Sequence, residues 1–331
     1  MHIDLYLVLG SAVVGLLVGL TGMGGGALMT PMLVLLFGVT PSAAIASDLM
    51  AAFFMKPAGV VIHWRRKTVN TGVVRYLCYG SVPAAFFGTY VMHLLGQSAL
   101  AEHRLEILLG TALIIGSVAI FYRSAFVTVP ASGDEPVKVR PLPTIIIGVV
   151  GGFMVGLTSV GAGSLILVLL VMLYPTLSNK QLVGTDLAQS LPLTFSAALG
   201  TLIFGHVELG LTSSIIIGSV PAVIVGSLLS SRSNGYLLRR VITGVVLLSG
   251  LKYVGVPTDW LGIIGALEIV LITFLTYRHW KRMRDAPSSA SVPETVQGVV
   301  TLLPTGLDGD LELEEAPLGE LTARCDADVL E

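Results

Sequence analysis

Eleven apolar runs of helix length follow one another along most of this chain. They lie at residues 4–20, 27–37, 42–63, 71–95, 105–122, 142–157, 164–174, 178–204, 209–230, 237–254 and 260–277. A run of about 20 apolar residues makes a helix long enough to cross the hydrocarbon of a bilayer. Only 12% of the 331 residues are charged, against roughly 25% in soluble domains. The chain therefore lacks the polar groups to cover a water-facing globule. That excludes an ordinary cytosolic enzyme, a nucleic-acid binder and a disordered chain. The expected fold class is all-α: a polytopic membrane protein with the lipid bilayer as its solvent. The first run carries no basic segment before it and no convincing cleavage site after it, so it is expected to stay in the mature protein.

The runs fall into two copies of one pattern. Gly19-Leu20-Thr21-Gly22-Met23-Gly24-Gly25-Gly26 returns as Gly156-Leu157-Thr158-Ser159-Val160-Gly161-Ala162-Gly163, 137 residues later. Ser47-Asp48-Leu49 returns as Thr185-Asp186-Leu187, and Gly80-Ser81-Val82-Pro83 as Gly218-Ser219-Val220-Pro221, each 138 residues later. Gly88 and Gly226 match in the same frame. The expected organisation is a transmembrane repeat over 1–122, a cytoplasmic linker over 123–141 and a second repeat over 142–255. An extra transmembrane helix with a basic anchor follows over 256–284. Residues 285–331 hold eleven acidic side chains and one basic one, and are expected to form a disordered acidic cytoplasmic tail.

Lys and Arg set the expected orientation. Arg65, Arg66 and Lys67 mark one cytoplasmic loop, Arg123, Lys138 and Arg140 a second, Arg232, Arg239 and Arg240 a third, and Arg278, Lys281, Arg282 and Arg284 the start of the tail. The loops near 205–208 and 253–259 carry neither residue and fall outside. With both 123–141 and 231–240 inside, the glycine-interrupted element 142–174 begins and ends on one side. Each repeat then crosses a net three times, and the second copy is upside down relative to the first, as in many secondary transporters. The N-terminus is expected outside and the tail inside.

A helix broken at membrane depth exposes backbone N–H and C=O groups, tolerated only in buried or wet surroundings. New helices are expected to begin near Ala27 and Ser164. Helix N-termini offer unpaired N–H groups and a partial positive charge, so two of them facing one cavity form an anion site. The alternative role for the glycines is close helix packing. Candidate substrate contacts are Gly22, Gly24, Gly25, Gly26, Ser47, Asp48, Thr158, Gly161, Gly163, Thr185 and Asp186. Asp48 and Asp186 are carboxyls at membrane depth, which pair, accept hydrogen bonds or carry protons; protons are thus a candidate coupling ion. Ser47 and Thr185 offer hydroxyls to an oxyanion or to a neighbouring helix. Lys56, two helical turns beyond Asp48, could attract an anion or pair with an acid. His63, Gln189 and His206 fit structural hydrogen bonding better than ligand binding. Pro57, Pro83, Pro192 and Pro221 are expected to kink helices.

No metal, cofactor or catalytic site is expected. Cys78 and Cys325 form no disulfide framework or metal motif. Gly22 to Ala27 fits a dinucleotide-binding spacing, but it follows a membrane-length run with no βαβ pattern. No phosphate-binding Lys motif and no zinc-protease motif occurs.

The segment Gly19 to Pro31, with Ala43 to Asp48 and the basic loop after His63, resembles the sulfite exporter TauE/SafE family of membrane permeases. Gly156 to Gly163 with Thr185-Asp186 carries the weaker second motif. The resemblance covers about residues 5–255. It implies an inner-membrane exporter of a small anion such as sulfite, a sulfonate or another organic anion, with a homo-oligomer as one option. Two other readings stay open: a membrane-embedded aspartyl-type enzyme, and an anchor presenting the acidic tail. Against the enzyme, Ala46-Ser47-Asp48 and Gly184-Thr185-Asp186 lack the Gly-x-Gly-Asp sequence of intramembrane aspartyl proteases.

Overall fold

The apolar runs fold into helices throughout. The computed structural model describes residues 4–21, 25–96, 98–126, 139–160, 165–204, 207–229 and 235–285. Among these residues lie eleven helices: α1 (Leu5–Thr21), α2 (Gly26–Phe37), α3 (Pro41–Arg65), α4 (Thr71–Leu95), α5 (Ala99–Phe126), α6 (Pro141–Thr158), α7 (Leu165–Leu173), α8 (Asn179–Phe204), α9 (Leu209–Leu229), α10 (Gly235–Tyr253) and α11 (Thr258–Asp285). The described residues up to Arg278 belong to one compact unit, and the last turns of α11, from 279, to another. The acidic tail beyond Asp285 and most of the 123–141 linker lie outside the described residues.

Local chemistry sets several helix ends. Asn70 caps α4, its side chain accepting from the Val73 N–H at 3.1 Å. Pro141 opens α6 where its missing N–H needs no partner. Gly38 ends α2 in the left-handed region, φ 65°. Its N–H donates to Val34 O, and that of Val39 to Leu33 O, which closes the helix. α5 begins six residues before its apolar run, because Glu102 sits in its first turn, where the helix dipole favours a negative charge.

Among the described residues five helices are long and apolar enough to cross a membrane: α3, α6, α8, α9 and the Glu102–Phe121 part of α5. α1 and α2 are apolar but shorter. Large apolar side chains face outward around the bundle, among them Leu9 and Val13 on α1, Phe87 on α4, Ile146 on α6 and Leu228 on α9. Such a surface suits lipid rather than water. The chain is a multi-pass membrane protein.

Two helix pairs built from equivalent residues of the two sequence copies pack backbone to backbone. α1 lies against α9, and α4 against α6. In the first pair a Cβ on Gly15 would sit 2.8 Å from Ser219 Cα, and one on Gly19 2.9 Å from Gly226 Cα. In the second a Cβ on Gly152 would sit 2.5 Å from Ser81 Cα, and one on Gly156 2.9 Å from the Ala85 carbonyl carbon. These are equivalent positions in the two sequence copies: Gly15 with Gly152, Gly19 with Gly156, Ser81 with Ser219. In hydrocarbon, dispersion between closely packed small residues is what holds helices together. α3 packs on α8 and α9, α4 on α8, and α5 on α10. One buried apolar cluster, with Met29, Leu33, Leu113 and Ile215, surrounds the α1–α9 pair. A second, with Leu77, Val155, Ile166 and Leu193, surrounds α4–α6.

Gly156→Val tests the α4–α6 seam. Overpacking costs about 1–3 kcal/mol in a core, and here the obstacle is backbone. The expected result is loss of the monodisperse size-exclusion peak in detergent. Gly262→Ala, with nothing within 4 Å of the added carbon, serves as the control and keeps that peak.

Candidate functional site

The described helices end and restart on either side of both glycine-rich stretches. α1 stops at Thr21 and α2 starts at Gly26; α6 stops at Thr158 and α7 starts at Leu165. The two terminal threonines behave alike. Thr21 Oγ1 donates to Leu17 O and Thr158 Oγ1 to Met154 O, each at 2.7 Å. Ser159 follows in the left-handed region, φ 57°, its N–H donating to Val155 O at 2.7 Å. On the other side Gly25 caps α2 without a side-chain hydrogen bond.

The two interruptions meet. A Cβ on Gly26 would lie 2.6 Å from the Ser159 carbonyl carbon and 2.9 Å from Ser159 Oγ. Only a hydrogen fits there, so Gly26 is fixed by a close approach of two backbones distant in sequence.

Asp48 of α3 stands at this meeting point, with no exposed surface. Its Oδ2 accepts from Ser159 Oγ at 2.7 Å and from Thr30 Oγ1 of α2 at 2.9 Å. One carboxylate thereby ties together α2, α3 and the residue after α6. Its Oδ1 is buried and has no hydrogen-bond partner. That oxygen faces Gly25, lying 4.0 Å from where a Cβ would be. The adjacent Ser47 Oγ accepts from Thr212 Oγ1 of α9 at 3.0 Å. Lys56, half-buried on α3, is within electrostatic reach of both Asp48 and Asp186.

The second copy is arranged differently. Asp186 of α8 is 3% exposed. Thr185 Oγ1 accepts from the Asn70 N–H at 3.1 Å, joining α8 to the start of α4. Gln189, one turn on, donates from Nε2 to Ser81 Oγ at 2.7 Å, while its Oε1 is buried and unpartnered.

The structure therefore gathers Gly25, Gly26 and Asp48 with the end of the Thr158 helix. The hydroxyls of Ser47, Thr185 and Thr158 each make a hydrogen bond within the protein, with Thr212 Oγ1, the Asn70 N–H and Met154 O. Gly22, Gly24, Gly161 and Gly163 lie outside the described residues. Thr30 and Ser159 escaped the sequence reading. For Ser159 a signal was present: it takes the place of Gly22 in the repeat frame, so a side chain there is a departure from the pattern. Among the described residues no group of three or more His, Cys, Asp or Glu could hold a metal ion. The chemistry available is that of hydroxyls, helix-end amides, two buried carboxylates and one ammonium.

Residues 7–253 match the sequence profile described as sulfite exporter TauE/SafE. The probable membrane transporter protein YjnA of Bacillus subtilis (strain 168) is 39% identical over 248 residues, covering 73% of this chain and 96% of that protein. The probable membrane transporter protein YdhB of the same organism is 22% identical over 238 residues, covering 72% of this chain and 94% of its own. No solved structure matches the chain.

Proposed function

The chain belongs to the sulfite exporter TauE/SafE family of membrane transporters, and we propose that its cargo is a small anion such as sulfite, a sulfonate or another organic anion. It works as a secondary transporter by alternating access in the inner membrane. The observation that carries this reading is the contact of Gly26 with Ser159 beside a fully buried Asp48. Interrupted helices at depth put backbone N–H groups where a negative solute can be held. Lys56 adds a positive charge within electrostatic reach of Asp48. Gly22, Gly24, Gly25, Thr158, Gly161 and Gly163 at the two interruptions, with Ser47 on α3 and Thr185 and Asp186 on α8, complete the proposed contacts.

Alternation rests on the repeats 1–122 and 142–255 being inverted copies. The matched seams support this: α1 packs on α9 as α6 packs on α4, through equivalent small residues. Lys and Arg counts support an N-terminus outside and a tail in the cytoplasm. An aspartyl enzyme would need its two carboxylates to share a proton. Asp48 instead accepts hydrogen bonds from the Thr30 and Ser159 hydroxyls.

The test is flux in proteoliposomes with radiolabelled sulfite and a panel of sulfonates and carboxylates. Saturable movement of at least one, inhibited by excess unlabelled anion, is the expected result. Correctly folded protein that moves none of them defeats the reading.

A further inference from the structure

We propose that Asp48 is the proton carrier of this transporter, and that a proton and an anion cross together. The inference rests on the transport reading above and names its coupling ion.

The geometry points to Asp48 rather than Asp186: Asp48 accepts from Thr30 just beyond one interruption and from Ser159 at the other. A fully buried carboxylate oxygen with no partner is costly to keep. Oδ1 of Asp48 is such an oxygen, and the missing side chain of Gly25 leaves room beside it. The other oxygen holds two hydroxyls from separate elements. When the carboxylate is ionised, both bonds are charge-assisted and strong. A proton arriving from the aqueous phase forms an O–H bond at Oδ1 and removes that charge. The ties to Thr30 and Ser159 then weaken, and the two interruptions are freer to part. Loss of the proton to the opposite side restores them.

Charge explains the co-transport. Lys56 shares α3 with Asp48 and interacts with Asp186 from α8. Two carboxylates against one ammonium leave a negative charge in excess, which repels an anion. Protonated Asp48 makes the set neutral, so an anion can join it. The other elements packed on α3 bring little charge. α2, α6 and α9 contain no titratable residue. α5 brings Glu102, which accepts from Ser42 Oγ at 2.5 Å, with His103, Arg104 and Glu106 in the same turns, and α8 adds Lys180 at its start. Ser42 lies six residues before Asp48, about 9 Å along the helix.

The experiment follows anion flux and lumenal pH together in proteoliposomes, with pyranine inside and the potential clamped by potassium and valinomycin. For a monoanion, wild type should acidify the lumen as the anion enters, respond to a pH gradient and ignore the potential. Asp48→Asn keeps an oxygen for Thr30 and Ser159 but cannot ionise. Its net flux should fall about tenfold or more, with the remainder driven by potential and indifferent to pH. Asp48→Glu should recover part of the proton signal. Wild-type flux with no proton signal, or one requiring sodium, overturns the proton role and leaves the transport reading standing. So does an Asp48→Asn variant that still moves protons with the anion. Absence of any anion flux removes both. Should Asp48→Asn fail to fold, Asp48→Glu carries the test: a proton signal and pH dependence unchanged from wild type overturn the role of Asp48.

Discussion

Gly26→Ala is expected to abolish anion flux and to lower the thermal stability of the detergent-solubilised protein. The added carbon would stand 2.6 Å from the Ser159 carbonyl carbon. Backbone cannot rotate aside as a side chain does, so the interruptions must separate or the helices shift. Overpacking of this kind costs about 1–3 kcal/mol or more, and misplacing groups by about 1 Å can cost a hundredfold in function. Gly25→Ala is the comparison. Gly25 has helical angles, φ −58° and ψ −35°. A carbon there would meet only the Met55 methyl at 3.3 Å and Asp48 Oδ1 at 4.0 Å. This variant should fold normally and slow transport by covering Oδ1. Equal tolerance of the two substitutions would show that the backbones do not meet as described.

Ser159 gives the second large effect, and two substitutions divide it. Ser159→Ala removes a hydroxyl from a buried carboxylate, about 1.5–3 kcal/mol for a hydrogen bond to a charged group. It also keeps a side chain at φ 57°. Ser159→Gly removes the same bond but relieves about 1–2 kcal/mol of left-handed strain. Thermal melting should therefore rank wild type highest, the glycine variant next and the alanine variant lowest. The gap between the two variants measures the strain. If neither variant melts below wild type, the tie to Asp48 contributes nothing to holding the bundle.

Much of the fold was legible because spacing alone carries it. Apolar runs separated by Gly, Pro and basic residues locate the helices, and the duplicated glycines locate both interruptions. The small-residue seams were legible as residues but not as partners. Gly15 and Gly152 belong to equivalent helices, yet each packs on a helix from the other half of the chain. Nothing in a one-dimensional pattern names that partner. The site was half legible. Asp48 stands out because a carboxylate in an apolar run needs a reason. Its donors do not: Thr30 looks like any hydroxyl within a helix, and Ser159 reaches Asp48 across 111 residues of sequence. Ser47 and Thr185 are legible from their position beside Asp48 and Asp186, but their partners, Thr212 Oγ1 and the Asn70 N–H, lie far away in sequence.

The unlike surroundings of Asp48 and Asp186 bear on how an empty carrier idles. Counting by the repeat frame, Leu167 stands where Thr30 does, and Gly22 where Ser159 does. Neither can donate a side-chain hydrogen bond. Under the proposed alternation, a threefold knot forms on one side of the pseudo-symmetry and has no mirror image on the other. The two halves of the cycle are then unequal in energy, and an unloaded protein leans toward one face of the membrane while it waits.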